Sequence, residues 1–179
     1  MYPLFRLLTT IVKSRNKTIN CLSQDSINFY CRPWDIDILF EMNNGRAITL
    51  FDLGRVSLVS KCGLLKILIK KKWGLVVAGS SIMYRKRIRS FDRVTMYTRV
   101  INIDDKWIYL EQSMWVKSVP CCSIVIRTAV TSKHGIISTN KVLEALGEAP
   151  INPKPEGWVL NWINNEKERI WPPNINPDC

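Results

Sequence analysis

The feature that most constrains the fold of this chain is a change in the spacing of its apolar residues. From residue 44 to residue 62 they recur at the helical period. Beyond residue 82 they alternate with polar residues in short segments that turns separate. Connections of hairpin length join antiparallel strands. The one long helix must then lie against a face of the sheet that these strands form. The sequence therefore predicts an α+β fold.

The same patterns set the bounds of the other elements. The predicted strands are 26–37, 82–88, 96–100, 107–116 and 121–131, and further helices are predicted at 64–72, at 141–146 and from Trp158 to about Ile170. With 179 residues, the chain suits one compact domain. We assign residues 25–147 to this domain, residues 1–24 to an N-terminal amphipathic segment, and residues 148–179 to a Pro-rich linker followed by the Trp-containing helix.

The N-terminal segment combines a helical apolar pattern with basic residues and holds no acid before Asp25. Its apolar positions are Leu4, Leu7, Leu8, Ile11 and Val12. Three interpretations stay open: a helix packed on the domain, a helix on a membrane surface, and a mitochondrial-type presequence. Because Arg6 interrupts the apolar run, the segment is a poor candidate for a secretory signal peptide. The C-terminal tryptophans either cover the domain's own sheet or form a docking face for another chain or for lipid.

Composition argues against several classes of protein. The longest charge-free apolar stretch, residues 73–84, is far shorter than the roughly 20 residues of a membrane span, so an integral membrane protein is not expected. The six cysteines form no Cys-x-x-Cys pair and His134 is the only histidine, so neither a metal site nor a disulfide framework is expected. Reduced cysteines favour the bacterial cytoplasm or the mitochondrial matrix over secretion.

A basic segment indicates an anionic partner. Residues 61–99 contain eleven basic residues and one acid, Asp92, and so carry +10 of the net charge of +11. The phosphates of CoA or of a carrier-bound phosphopantetheine, an anionic lipid surface and nucleic acid all suit such a charge. The segment has no nucleic-acid motif and no interleaved aromatic residues of the stacking kind, so specific nucleic-acid binding is not expected.

Unusual residues concentrate where the first strand meets the long helix, in residues 32–37 and 41–46. The backbone N–H groups at the helix start, near Asn44 and Gly45, lack intrahelical acceptors and point towards any anion ahead of them. A carboxylate from Asp35 or Asp37 that faces the same point would act as base or nucleophile. Under the alternative interpretation, these acids and asparagines only cap the helix and turn the chain.

These residues resemble a known signature. Residues 34–37 (Trp-Asp-Ile-Asp) and 42–46 (Met-Asn-Asn-Gly-Arg) look like the Asp-x-Asp…His-Met-Asn-Asn-x-Arg-Tyr pattern of hotdog-fold acyl-CoA thioesterases, of the 4-hydroxybenzoyl-CoA thioesterase-like group. Segments 51–55, 77–81, 84–87 and 109–113 are similar to segments of bacterial members, and the resemblance spans roughly Tyr2 to Trp171. It implies a hotdog fold, with an antiparallel sheet wrapped around one long central helix and extra helices at both ends.

The resemblance also implies a function and a site. The function is hydrolysis of an acyl-CoA or acyl-carrier thioester in lipid metabolism, by a homodimer with active sites at the subunit interface. Asp37 matches the acid that acts as general base or nucleophile, and Asn44 and Gly45 match the helix start that polarises the carbonyl. No cofactor is expected beyond the CoA part of the substrate. The candidate substrate-binding residues are Asn43, Arg46, Ser80, Ser81, Arg85 and Arg87.

Two departures from the signature leave alternatives open. Glu41 stands where many relatives have His, and Ala47 where they often have Tyr. If Glu41 lies near Asp37, the two carboxylates repel, which raises the apparent pKa of the pair and offers an acid/base combination. Glu41 is therefore a second catalytic candidate. The alternatives are a non-catalytic hotdog protein that binds acyl-CoA, an accessory subunit of a larger, for example mitochondrial, assembly, and a basic protein that binds nucleic acid or a membrane surface.

Two further polar features are predicted inside the domain. Glu111 and Gln112 point to opposite faces of their strand, so one of them faces the central helix as a buried polar partner. Asp52 and Arg55 are spaced i, i+3 on the helix and suit an ion pair.

Overall fold

An antiparallel sheet curls around the long helix, and short helices flank it. The computed structural model describes residues 2–15, 17–149 and 153–173; Pro150 of the predicted linker and Cys179 lie outside these ranges. The elements in chain order are α1 (Leu4–Ser14), β1 (Asp25–Tyr30), a 3₁₀ turn (Pro33–Asp35), α2 (Asn44–Lys61), α3 (Leu64–Lys71), β2 (Gly74–Tyr84), β3 (Arg93–Ile103), β4 (Ile108–Val116), β5 (Val119–Ser132), β6 (Gly135–Ile137), α4 (Thr139–Leu146) and α5 (Gly157–Glu168). Over the described residues the strand order is β1-β3-β4-β5-β2, with β6 paired to β5 and every pairing antiparallel.

The strand predicted at 96–100 extends over Arg93–Ile103, and two other predicted strands differ in bounds that affect the candidate site. The first strand ends at Tyr30 and not at Asp37, because Pro33 has no N–H to donate to a ladder and begins a 3₁₀ turn. The strand predicted at 82–88 begins at Gly74 and ends at Tyr84. Beyond Tyr84 the chain leaves the sheet, since the N–H groups of Arg85 and Lys86 both donate to the carbonyl oxygen of Cys121. Residues 85–89 therefore form a loop, and the predicted strand does not continue to residue 88.

The core lies between α2 and the concave face of the sheet. Leu50, Phe51 and Leu53 of α2 are fully buried against a methionine- and isoleucine-rich sheet surface. Gly54 permits this close approach: a Cβ atom there would lie 2.5 Å from Thr98 Oγ1 and 2.6 Å from Gln112 Nε2, shorter than real Cβ contacts. The helix is thus held at a fixed depth on the sheet, which also fixes the position of its first turn.

A buried polar network joins α2 to the sheet. Gln112 Nε2 donates to the carbonyl oxygen of Phe51 (2.9 Å) and to Thr98 Oγ1 (2.9 Å), and Arg55 Nη1 donates to Gln112 Oε1 (2.8 Å). Burial lowers the pKa of the Arg55 guanidinium to about 10, so it stays charged at neutral pH and pairs with Asp52. The predicted Asp52–Arg55 ion pair and the predicted buried polar partner of the helix, Gln112, are confirmed.

The two terminal helices pack on different parts of the domain. Helix α1 packs against α2, and α5 covers the sheet face that points away from α2, where Val159 and Ile163 bury Tyr109. The Trp162 ring meets the Tyr109 ring edge-on at 6.2 Å, whereas Trp158 remains half exposed. The C-terminal helix therefore covers the domain's own sheet. None of the helices in the described ranges is both long and apolar enough to cross a membrane.

Candidate active site

The two aspartates of the signature have different surroundings, because the first of them lies in the 3₁₀ turn and not on a strand. Asp35 is fully buried and accepts the Arg32 N–H at 3.0 Å. Its carboxylate forms ion pairs with Arg46 Nε (2.6 Å) and Arg6 Nη2 (2.7 Å). Burial alone would raise the pKa of Asp35, but the hydrogen bonds from Arg32, Arg46 and Arg6 and the charge of Arg6 hold it below its usual value. Asp35 thus links α1, the turn and the start of α2.

The second aspartate lies in a short loop that leads into α2. The loop is closed by backbone hydrogen bonds from Asn43 N to Asp35 O (2.9 Å) and from Asp37 N to Glu41 O (2.8 Å). Asp37 is half-buried, and its Oδ1 accepts the Leu39 N–H at 2.8 Å. One carboxylate oxygen therefore orients the side chain while the other has acceptor capacity left, as a general base requires.

The first turn of α2 presents backbone donors. Asn43 caps the helix, since its Oδ1 accepts the Arg46 N–H at 3.1 Å. The capping interpretation is thus correct for this residue. The N–H groups of Asn44 and Gly45 have no acceptor among the residues that the structure describes. Two adjacent amide donors at the positive end of a helix dipole are suited to stabilising a carbonyl oxygen as it gains negative charge.

A cavity of about 230 Å³ adjoins this turn. Its lining includes Glu41, Asn44, Tyr84, Arg85, Arg87 and Cys122. The Glu41 carboxylate pairs with Arg87 Nε at 2.8 Å, so its charged partner is a cation and not Asp37. Tyr84 donates its hydroxyl hydrogen to the Asn44 carbonyl oxygen at 3.2 Å. Sequence reasoning missed this contact because it joins residues 40 positions apart.

The cysteine in the lining of this cavity is not a nucleophile. Burial, with a contribution from Cys121, raises the pKa of the Cys122 thiol to about 12, so this thiol is protonated at neutral pH.

The remaining predicted residues separate into two groups. Asn43, Gly45 and Arg46 line a second, larger groove of about 940 Å³ between α1 and the start of α2. Ser80 and Ser81 are exposed on β2, opposite Ile126 and Val125 of β5, and line neither this groove nor the smaller cavity. The structure thus brings Glu41, Asn44, Arg85 and Arg87 together and leaves the two serines apart from them.

Comparison with known proteins identifies the family of this chain. The sequence model of the thioesterase-like superfamily matches residues 31–154. This range includes the 3₁₀ turn, all of α2, and Arg85 and Arg87, which follow β2 and line the 230 Å³ cavity. This chain belongs to the thioesterase-like superfamily. The resemblance inferred from the signature is therefore confirmed, and the curled antiparallel sheet around α2 is the hotdog fold.

Individual proteins are also similar to this chain. Protein THEM6 of Xenopus laevis is 27% identical over 158 residues, covering 86% of this chain and 74% of that protein. Protein THEM6 of Drosophila melanogaster is 33% identical over 138 residues, covering 75% and 69%. The DHNA-CoA thioesterase of Staphylococcus aureus superposes with a TM-score of 0.63 at 14% identity, covering 82% of this chain and 96% of that one. At that identity the superposition shows a common fold.

Proposed function

We propose that this protein hydrolyses an acyl thioester of CoA or of an acyl carrier. The observation that carries the proposal is the pair of N–H groups of Asn44 and Gly45 at the start of α2, which have no acceptor among the described residues and directly follow the loop that holds Asp37. The family membership supports a thioester as substrate. A thioester carbonyl carbon reacts readily with nucleophiles. Catalysis of its hydrolysis therefore mainly requires delivery of water and stabilisation of the oxyanion.

In the proposed reaction, the Asn44 and Gly45 N–H groups bind the thioester carbonyl oxygen. Asp37 removes a proton from water as the water oxygen bonds to the carbonyl carbon; alternatively, the carboxylate attacks this carbon itself and water cleaves the resulting anhydride. In the first route the C–S bond then breaks, CoA leaves as its thiolate, and the proton held by Asp37 returns to solvent or to the thiolate. In the second route the C–S bond breaks and the CoA thiolate leaves as the anhydride forms, and the water that later cleaves the anhydride releases the acid and restores the Asp37 carboxylate. The products are a carboxylic acid and free CoA.

The CoA moiety is assigned to the basic surface beside the 230 Å³ cavity. Arg85 and Arg87 lie in the loop after β2, and both side chains are exposed and accessible to phosphate groups. Glu41 holds one of these arginines by its ion pair. We therefore assign Glu41 a positioning role for Arg87, in place of the direct acid/base role that the sequence predicted.

The first test is hydrolysis of short, long and aromatic acyl-CoAs by the purified protein, with free CoA thiol as the product measured. We expect turnover of at least one class and, for that class, saturation with substrate. Glu41→Gln breaks the pairing with Arg87, so it should raise KM more than it lowers kcat. Binding of acyl-CoA without any release of thiol would contradict the proposal and favour a non-catalytic acyl-CoA binder.

We also propose that the active form is a homodimer. Strand β2 is at an edge of the sheet and exposes Val77 and Met83, and the active-site loop exposes Ile38 and Phe40. A second copy that pairs along β2 would satisfy the free edge and bury apolar surface. Light scattering should give twice the chain mass of 20.7 kDa.

A charged residue on the edge should separate the two copies. We expect Val77→Lys to reduce the measured mass to that of one chain, because the edge would then bury an unpaired charge. Ile69→Lys, a matched change on the exposed side of α3, should leave the mass unchanged. A single-chain mass for the wild-type protein would contradict the dimer.

A further inference from the structure

Helix α1 packs on the domain with its polar face. Arg6 and Ser14 are buried: Arg6 pairs with Asp35 at 2.7 Å, and Ser14 Oγ lies 3.1 Å from Ser57 Oγ of α2. Leu7 packs against the core of the domain, but four other apolar residues of the helix point outwards, with Leu4 62%, Phe5 71%, Leu8 60% and Val12 70% exposed. At 100° per residue these four positions fall within an arc of about 100° and form one stripe along the helix. Most of the apolar side of this helix thus faces away from the domain, whereas an amphipathic helix usually turns that side towards the core.

The stripe continues onto a neighbouring surface. Tyr2 and Phe5 line the 940 Å³ groove together with Trp34, whose side chain is 65% exposed. Isolated exposed apolar residues are common on proteins, but a contiguous set of large ones on a small helix and its neighbours marks an interaction surface. We name the surface formed by Leu4, Phe5, Leu8, Val12 and Trp34 the α1 surface.

The charges around the α1 surface identify its partner. Residues 1–24 contain no acid, and the exposed cations Lys13, Arg15 and Lys17 follow the apolar stripe. Arg32 stacks over the Trp34 ring at 5.2 Å. A large apolar face bordered by cations, with an aromatic residue at its edge, is the pattern of a helix that lies in the interface of a membrane with anionic lipids.

We propose that the α1 surface docks this protein onto an anionic lipid bilayer. The stripe enters the boundary between headgroups and acyl chains, and the basic residues contact lipid phosphates. The groove beside α1 ends at Asn43, Gly45 and Arg46, so docking would place the mouth of this groove at the bilayer surface. If the proposed thioesterase function holds, its substrates would then include long-chain acyl thioesters taken from the membrane.

The test is co-sedimentation of the full chain with vesicles. We expect binding to vesicles of phosphatidylcholine and phosphatidylglycerol in a ratio of about three to one, and much weaker binding to phosphatidylcholine alone. The double variant Phe5→Ser/Leu8→Ser should lower the affinity for the anionic vesicles at least about tenfold, because two exposed side chains no longer enter the lipid.

The matched control is Ile69→Ser/Phe91→Ser, which removes an aliphatic and an aromatic side chain of similar exposure from other basic parts of the surface. It should bind like the wild-type protein. Absence of binding to anionic vesicles, or an equal loss in both double variants, would overturn the proposal. A loss of dimer mass in Phe5→Ser/Leu8→Ser would overturn it in favour of a second copy covering α1. Because sedimentation requires no turnover, failure of docking and failure of the thioesterase proposal are distinguishable.

Discussion

Replacing Asp37 with asparagine is expected to lower kcat/KM for the best acyl-CoA substrate by about 10²- to 10⁴-fold, the usual contribution of a general base. The amide keeps the size of the side chain and can still accept the Leu39 N–H through its oxygen. It cannot accept a proton from water or attack a carbonyl carbon. The measurement is release of CoA thiol at saturating and at low substrate concentration.

The matched control for this change is Asp105→Asn, which makes the same chemical substitution at an exposed position in the β3–β4 turn. We expect the control to retain wild-type activity and both variants to unfold at the same denaturant concentration as the wild-type protein. Residual activity in Asp37→Asn within a few-fold of wild type would refute the assigned role of Asp37. The N–H groups of the helix start would then act with a different base.

The parts of the fold that depend on local pattern were predictable from the sequence. The bounds of α2, β4 and β5 agree with the prediction within a few residues, because each has an unbroken apolar period between turn residues. The start of β2 at Gly74 was not predictable, since its first half lacks alternation and becomes a strand only by pairing with β5. Tertiary pairing there outweighs the local pattern.

The candidate site was predictable in its location and not in its contacts. The signature placed it at the start of α2, but the burial of Asp35 depends on Arg6, which is far away in the sequence and lies in α1. The same ion pair explains why α1 turns its apolar side outwards, since burying the Arg6 guanidinium against Asp35 fixes the orientation of the helix. Contacts between polar residues that are far apart in the sequence produce no periodic residue pattern. Only the structure shows them.

Replacing Asp35 with asparagine is expected to destabilise the folded protein by about 3–5 kcal/mol at neutral pH, the usual cost of removing one partner from a buried ion pair. The carboxylate is fully buried and accepts charged hydrogen bonds from Arg6 and Arg46, so the substitution removes the buried negative charge that both guanidinium groups contact. Urea denaturation at equal protein concentrations measures the change, and Asp105→Asn again serves as the exposed control.

The effect of this substitution should depend on pH in a defined direction. Because the pKa of Asp35 is lowered in the folded state, its carboxylate contributes stability above the unfolded-state pKa of about 3.9 and loses it as the pH falls through the lower, folded-state value. The difference in unfolding free energy between wild type and Asp35→Asn should therefore be constant from neutral pH to about pH 5 and shrink below about pH 4. A difference that grows on acidification would show that Asp35 is not held as a carboxylate by Arg6 and Arg46. Since Asp35 also joins α1 to the start of α2, Asp35→Asn should lose thioester hydrolysis under mild denaturant before the sheet unfolds.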